Sequence, residues 1–218
     1  MSDRSLGQAK AALRRRVREQ RRQRPAEQRA RESAAATGHL LAWLEPQLER
    51  ARQSGPGPEG NTSAETTTPT IATFMSMPTE PDTEALRTAL HDADVRVLVP
   101  VIEPEHQLSW VAWRPGIALS RSPLVPVDEP VGPRVPSSAL DDAVALILPG
   151  LAASRDGMRL GQGGGYYDRL LARLDARVPR LVLVFADELL DAGTLPVEVT
   201  DAPVDAVVTG LGVQAASR

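Results

Sequence analysis

The chain has 218 residues, 42% hydrophobic and 24% charged, with a formal net charge of −3. That length can bury a real core, with one domain the simplest count and two small ones the other option. The absence of cysteine excludes disulfides, thiol catalysis and thiolate-held zinc or iron–sulfur clusters. No run of about eighteen apolar residues is present to span a bilayer. The polar, basic start carries no apolar core of a secretory signal. A cytoplasmic protein without a membrane partner is expected.

Residues 1–31 hold eleven Lys/Arg against three Asp/Glu. Leu6, Leu13 and Val17 mark an amphipathic helix with arginines on its wet faces. Without aromatic residues for base stacking, that helix reads as a solvated face first, an anion site second and a nucleic-acid surface third. Lys10 is the only lysine, against 24 arginines. It is either chance or a place where a compact ammonium is needed and a planar guanidinium would not fit.

Pro25 restarts a second helix, whose core stripe is read as Ala30, Ala34, Thr37, Leu41, Leu44 and Leu48. Residues 53–69 are polar and rich in Gly, Pro, Ser and Thr, and are expected to form a flexible surface insertion within one domain spanning 1–218. A strand at Thr70–Met75, a helix at Thr83–His91 and a strand at Val95–Ile102 follow. The proline-rich stretch 114–136 offers little regular structure. Ala143–Leu148 is a continuous apolar run that suits a strand buried on both faces, Arg180–Phe185 is another, and Ala206–Thr209 is a short last strand. His39, His91 and His106 lack metal-ligand spacing and are expected on the surface or in helices. Strands alternating with helices imply an α/β fold with a mostly parallel sheet. Ligands in such sheets gather beyond the carboxyl ends of the strands, so the loops after Met75, Leu148 and Phe185 are expected to share one edge.

The most informative segment is Gly161-Gln162-Gly163-Gly164-Gly165-Tyr166-Tyr167-Asp168-Arg169. Four glycines in five positions bare the backbone N–H groups for an anion. Tyr167, Leu170, Leu171 and Leu174 then recur at helical spacing, and a helix N-terminus favours negative charge. Asp168, in the first turn, can steady the helix or hold a metal beside a phosphate. Neither standard phosphate motif fits. The Walker A pattern needs Gly-Lys-Ser/Thr, and the dinucleotide fingerprint needs a glycine where Tyr166 stands and a strand directly before the loop.

Leu148-Pro149-Gly150-Leu151-Ala152, followed by Gly157-x-Arg159-Leu160-Gly161-x-Gly163-x-Gly165-Tyr166-Tyr167-Asp168-Arg169, resembles the 5-formyltetrahydrofolate cyclo-ligases (methenyltetrahydrofolate synthetases). Lys10-x-x-Leu13-Arg14, the block Phe74–Thr83 and Thr200-Asp201-Ala202-Pro203-Val204-Asp205 agree, so the resemblance covers nearly the whole chain. It implies a three-layer α/β/α Rossmann-like fold, related to sugar-phosphate isomerases and CoA transferases. It also implies ATP- and magnesium-dependent cyclisation of 5-formyltetrahydrofolate to 5,10-methenyltetrahydrofolate, by a monomer or small homo-oligomer that needs no nucleic acid. On that resemblance Lys10, Arg14, Arg159 and the Gly161–Tyr167 loop hold ATP, with Lys10, Arg159 and Glu80 the catalytic set. Asp168 and Asp201 face Mg2+, while Glu80, Met75 and Tyr166 meet the folate. Tyr167 is the tyrosine more suited to packing the helix. The chain departs from the family at Ala153-Ser154, where Phe-Asp is usual. Ser154 carries no carboxylate, and Asp156 is the candidate to compensate. A same-fold enzyme acting on ATP or a sugar phosphate with another substrate, and an RNA-binding protein using the basic helix, are the competing readings.

Overall fold

The computed structural model describes residues 3–53 and 68–217. The insertion expected at 53–69 lies, but for its edges, outside them. Two long helices come first: α1 (Asp3–Gln23) and α2 (Ala26–Gln53), broken at Pro25, which has no N–H to continue the first. Then come β1 (Thr70–Ala72), α3 (Glu84–Asp92), β2 (Arg96–Glu103), β3 (Gln107–Ala112), β4 (Leu119–Arg121), β5 (Asp128–Pro130), β6 (Arg134–Val135), β7 (Ala145–Pro149), β8 (Ala152–Ser154) and β9 (Arg159–Leu160). The chain closes with α4 (Tyr166–Leu171), β10 (Arg180–Leu183), β11 (Leu189–Leu190), β12 (Ala206–Thr209) and β13 (Gly212–Ala215).

Eight strands form the main sheet in the order β13-β12-β10-β7-β1-β2-β3-β6. The five central strands are parallel; β13 and β3 run antiparallel to them at the two sides, and β6 pairs antiparallel with β3 at the edge. The central strands are apolar on both faces because both are covered. Val97, Val99, Ile147, Leu181 and Val208 pack under Ala36, Leu40, Leu44 and Leu48 of α2 and Leu86 and Leu90 of α3. The alternate residues Leu98, Leu146, Leu148, Val182 and Val207 pack against Leu140, Leu170, Leu171 and Leu174 on the other face. The expected three layers are present, but the second covering layer is thin, carried by a six-residue helix and loops.

A second sheet of three short strands, β11-β8-β9, sits beside the first. Val17 of α1 is buried there with Leu151, Ala152, Leu160 and Leu195, and this apolar contact fixes which way the rest of α1 faces.

Several expectations are corrected. The buried stripe of α2 is Ser33, Ala36, Leu40, Leu44 and Leu48, whereas Ala30 and Ala34 are exposed. Ser33 earns its inward place because its hydroxyl accepts the Asp82 N–H at 2.9 Å. The antiparallel strand β3 and the short strands in 114–136 were not legible, and β1 ends at Ala72 instead of reaching Met75. The helix after the glycine run stops at Leu171, so Leu174 reaches the core from a turn.

Candidate active site

The carboxyl ends of β1 and β7 open into a cleft of about 980 Å³. Residues at the ends of both strands line it: Phe74, Met75, Met77 and Glu80 after β1, and Pro149 at the end of β7 with Gly150 after it. The loop after β10 does not line it; Glu188 there acts from behind, through Arg21.

One side of the cleft is cationic, and α1 supplies much of it. Lys10, Arg14, Arg18 and Arg21 recur at i, i+4, i+8 and i+11, one face of a helix. With Val17 anchored on the small sheet, that face turns to the site. Lys10 is 4% exposed, and its Nζ donates to Asp201 Oδ2 at 2.5 Å and to Glu198 Oε2 at 2.9 Å. Arg14 Nε donates to Gly161 O at 2.9 Å, and Arg18 grips Gln162 through both its backbone and side-chain oxygens. Arg15 and Arg16 are exposed, so Arg14 is the member of the arginine run that reaches the loop. The basic-helix reading is therefore corrected: its central cations are spent on the protein's own cleft.

The loop Gly161–Gly165 arches under these side chains. Gly163 (φ +108°) and Gly165 (φ +69°) sit where a side chain would be strained. A Cβ on Gly163 would also touch the Arg14 guanidinium at 3.5 Å. Because α4 has only six residues, its dipole is short, and the anion-binding character of the loop rests on bared amides and neighbouring cations. Arg159 Nη2 donates to Asp168 Oδ1 at 2.7 Å. Burial pulls the Arg159 guanidinium below its ordinary value, and the nearby Asp168, Tyr167 and Asp201 oppose that. Arginine nonetheless stays protonated.

The other side is drier. Met75, Ile102, Leu108, Val125 and Val127 give it apolar walls. Tyr166 lines the cleft with its ring 5.3 Å from that of His106, so this histidine, exposed as expected, also braces a candidate ligand contact. Tyr167 lines the cleft as well as packing against the core, and burial raises its phenol above the ordinary range. Glu80 is 6% exposed. It accepts the Met77 N–H at 3.0 Å and Gln162 Nε2 at 3.4 Å. Burial raises its carboxyl above the usual range, with the Met77 N–H and Arg21 pulling the other way.

Every residue that the resemblance assigned to the site lines this one cleft: Lys10, Arg14, Met75, Glu80, Arg159, the Gly161–Tyr167 loop, Asp168 and Asp201. Sequence reasoning missed Arg18, Arg21, Glu198, His106 and the Val125–Glu129 wall. The cationic period on α1 would have exposed Arg18 and Arg21. Nothing local signals the other three. Ala153 and Ser154 fall outside the cleft lining. Both are fully buried in the small sheet, and the Ser154 hydroxyl donates to Asp156 Oδ1, which holds that carboxyl below its ordinary range. Asp156 is thus a partner of Ser154, and it also accepts the Gly193 N–H.

Among the described residues no group of three or more His, Cys, Asp or Glu could hold a metal by itself. Of the carboxylates lining the cleft, Asp168 is engaged through Oδ1 and Asp201 through Oδ2. No helix of the described residues is long and apolar enough to cross a membrane.

The chain matches the 5-formyltetrahydrofolate cyclo-ligase family over residues 61–210. It is 37% identical over 145 residues to the 5-formyltetrahydrofolate cyclo-ligase of Escherichia coli, covering 64% of this chain and 77% of the other. It is 32% identical over 145 residues to that of Mycolicibacterium smegmatis, covering 64% and 73%. A 5,10-methenyltetrahydrofolate synthetase from Aquifex aeolicus superposes with a TM-score of 0.72 at 25% identity, over 96% of this chain and 93% of that one. The Mycoplasma pneumoniae synthetase shares the fold, with a TM-score of 0.67 at 17% identity over 92% and 98%.

Proposed function

This chain belongs to the 5-formyltetrahydrofolate cyclo-ligase family, and we propose that its cleft carries out the ATP-dependent cyclisation of 5-formyltetrahydrofolate to 5,10-methenyltetrahydrofolate, with release of ADP and phosphate. The observation that supports this most is that a cationic, glycine-rich end and a dry end bearing the buried carboxylate of Glu80 share a single cavity. Such a cavity suits a polyphosphate beside a largely apolar heterocycle.

A formamide oxygen is a weak nucleophile and a poor leaving group. Transfer of the γ-phosphoryl group to that oxygen breaks the bond to ADP and makes an imidate-like phosphate on the folate. N10 then attacks the activated carbon, its proton is lost, and the oxygen leaves as inorganic phosphate. Phosphoryl transfer of this kind is governed by positioning and charge neutralisation. Lys10, Arg14 and Arg159 supply the positive field with the loop amides, Lys10 exchanging its carboxylates for phosphate oxygens. Glu80 accepts a hydrogen bond from the folate near its reacting nitrogen, and Met75 and Tyr166 hold its rings. Asp168 and Asp201 would hold Mg2+, a hard cation that takes one or two carboxylates with phosphates and water and would neutralise charge on the transferred group.

In this reading residues 1–218 work as one cytoplasmic cyclo-ligase domain, a monomer or small homo-oligomer. Mixing the purified protein with 5-formyltetrahydrofolate, ATP and magnesium should generate the near-ultraviolet absorbance of the methenyl product. A folded protein at high concentration that gives no ATP-dependent product overturns the assignment.

A further inference from the structure

Arg21 lies outside the cleft lining, yet it is 1% exposed and wedged directly behind it. Its Nε and Nη2 donate to the two oxygens of Glu188, each at 2.7 Å, and Nη2 also donates to Gly150 O at 2.6 Å. That side of the fork is fully used. Nη1 is buried without a hydrogen-bond partner among the described residues, and it stands 3.9 Å from Glu80 Oε1. A buried guanidinium with an unpartnered donor beside a cleft carboxylate is expensive unless the arrangement serves something.

We propose that Arg21 is a positioning residue for the reaction, acting through Glu80 by fixing the orientation and charge of its carboxylate at the folate end of the cleft. Two further contacts bear on Glu80: its own segment gives it the Met77 N–H, and the glycine loop gives it the Gln162 amide, itself held by Arg18. From α4, the Tyr167 phenol faces it and is neutral at physiological pH because burial and the Glu80 charge raise its value. Arg21 is therefore the cation that opposes the cost of burying Glu80 as an anion, a cost that burial imposes by raising its carboxyl. Glu188, behind Arg21, draws on the same charge. The pair couples the α1 helix, the Pro149-Gly150 turn and the folate carboxylate into one unit.

The catalytic part of this inference rests on the proposed cyclisation; the electrostatic part does not. The Glu80 carboxyl can be titrated by 13C NMR of glutamate-labelled protein, its signal identified by loss in Glu80→Gln. In Arg21→Met, removing the cation should move the Glu80 midpoint up by about one pH unit, and Arg21→Lys should recover much of that shift. Glu188→Gln should move it down, because Arg21 then serves Glu80 alone. In kinetics, the acid limb of kcat/KM for the folate should follow the same displacements, while KM for ATP stays unchanged. A midpoint that is unmoved in Arg21→Met, or in Glu188→Gln should Arg21→Met not fold, overturns the coupling. A midpoint that moves while the acid limb does not overturns the positioning role. Displaced midpoints in a protein without cyclisation activity would leave the coupling intact and refute the assigned reaction instead.

Discussion

The two ends of the cleft use charge in opposite ways. At the nucleotide end, cations and carboxylates neutralise one another: Lys10 with Asp201 and Glu198, Arg159 with Asp168. In the proposed reaction, binding there is an exchange in which phosphate oxygens replace partners already present. At the proposed folate end Glu80 is withdrawn from water among apolar walls, with a cation behind it at 3.9 Å. The first end is built for strong, replaceable electrostatics and the second for a fixed hydrogen bond in a dry place. Truncating one partner of a buried pair usually costs about 3–5 kcal/mol, because a charge is left uncompensated. Variants that keep charge or volume therefore probe this difference best.

The largest effect is expected at Lys10. Lys10→Ala should lower kcat/KM for ATP by about 100–1000-fold, the usual cost of losing one well-placed charge stabiliser. Lys10→Arg should also lose turnover despite its conserved charge, since the planar fork does not fit a 4%-exposed pocket closed by two carboxylates. Steady-state kinetics with ATP varied checks both, and an unchanged Lys10→Arg enzyme would remove the need for a compact ammonium.

Gly163→Ala comes next. The positive φ should distort the loop and raise KM for ATP by about tenfold, equivalent to 1.4 kcal/mol. KM for the folate should stay within twofold, because the dry end is untouched. Met75→Ala should invert that pattern, raising KM for the folate by several-fold to tenfold through lost apolar contact while leaving ATP alone. If either variant changed both constants equally, the two ends would not be separable.

The smallest effect is expected outside the cleft. Ser154→Ala should leave activity unchanged and cost under about 1 kcal/mol of stability. Ser154 depresses the Asp156 carboxyl below its ordinary 3.8. That stabilisation is present above the unfolded value and is lost as pH falls through the depressed one. Wild type and variant should thus differ in denaturant midpoint at neutral pH and converge in strong acid. A substantial loss of activity would return Ala153-Ser154 to the catalytic account.

Much of the fold was readable because β7 is apolar without interruption, β10 is apolar after Arg180, and β12 spans the expected Ala206–Thr209. The β2–β3 hairpin was not. It turns at Glu105 and His106, both at positive φ (58°), where sequence rules look for glycine or asparagine. The stripe of α2 was misregistered because the Ala34–Ala36 run and the Leu40-Leu41 pair suit either face, and a long-range bond to Ser33 decides between them. At the site, the motif named residues that share one cleft, whereas Ala153 and Ser154, where the chain departs from the motif, are buried outside its lining.

The sequence by itself determined which chemistries are available: one lysine ammonium, a glycine-bared loop, two aspartates and a glutamate in an order that resembles the cyclo-ligase family. Only the tertiary structure decided how those charges are spent. Lys10 and Asp201 are 191 positions apart, and Arg21 and Glu188 are 167. Whether an ionisable group is free, paired or dried out depends on such distances and on burial. The seating of Val17 on the small sheet turns a solvated-looking basic helix into the wall of an active site.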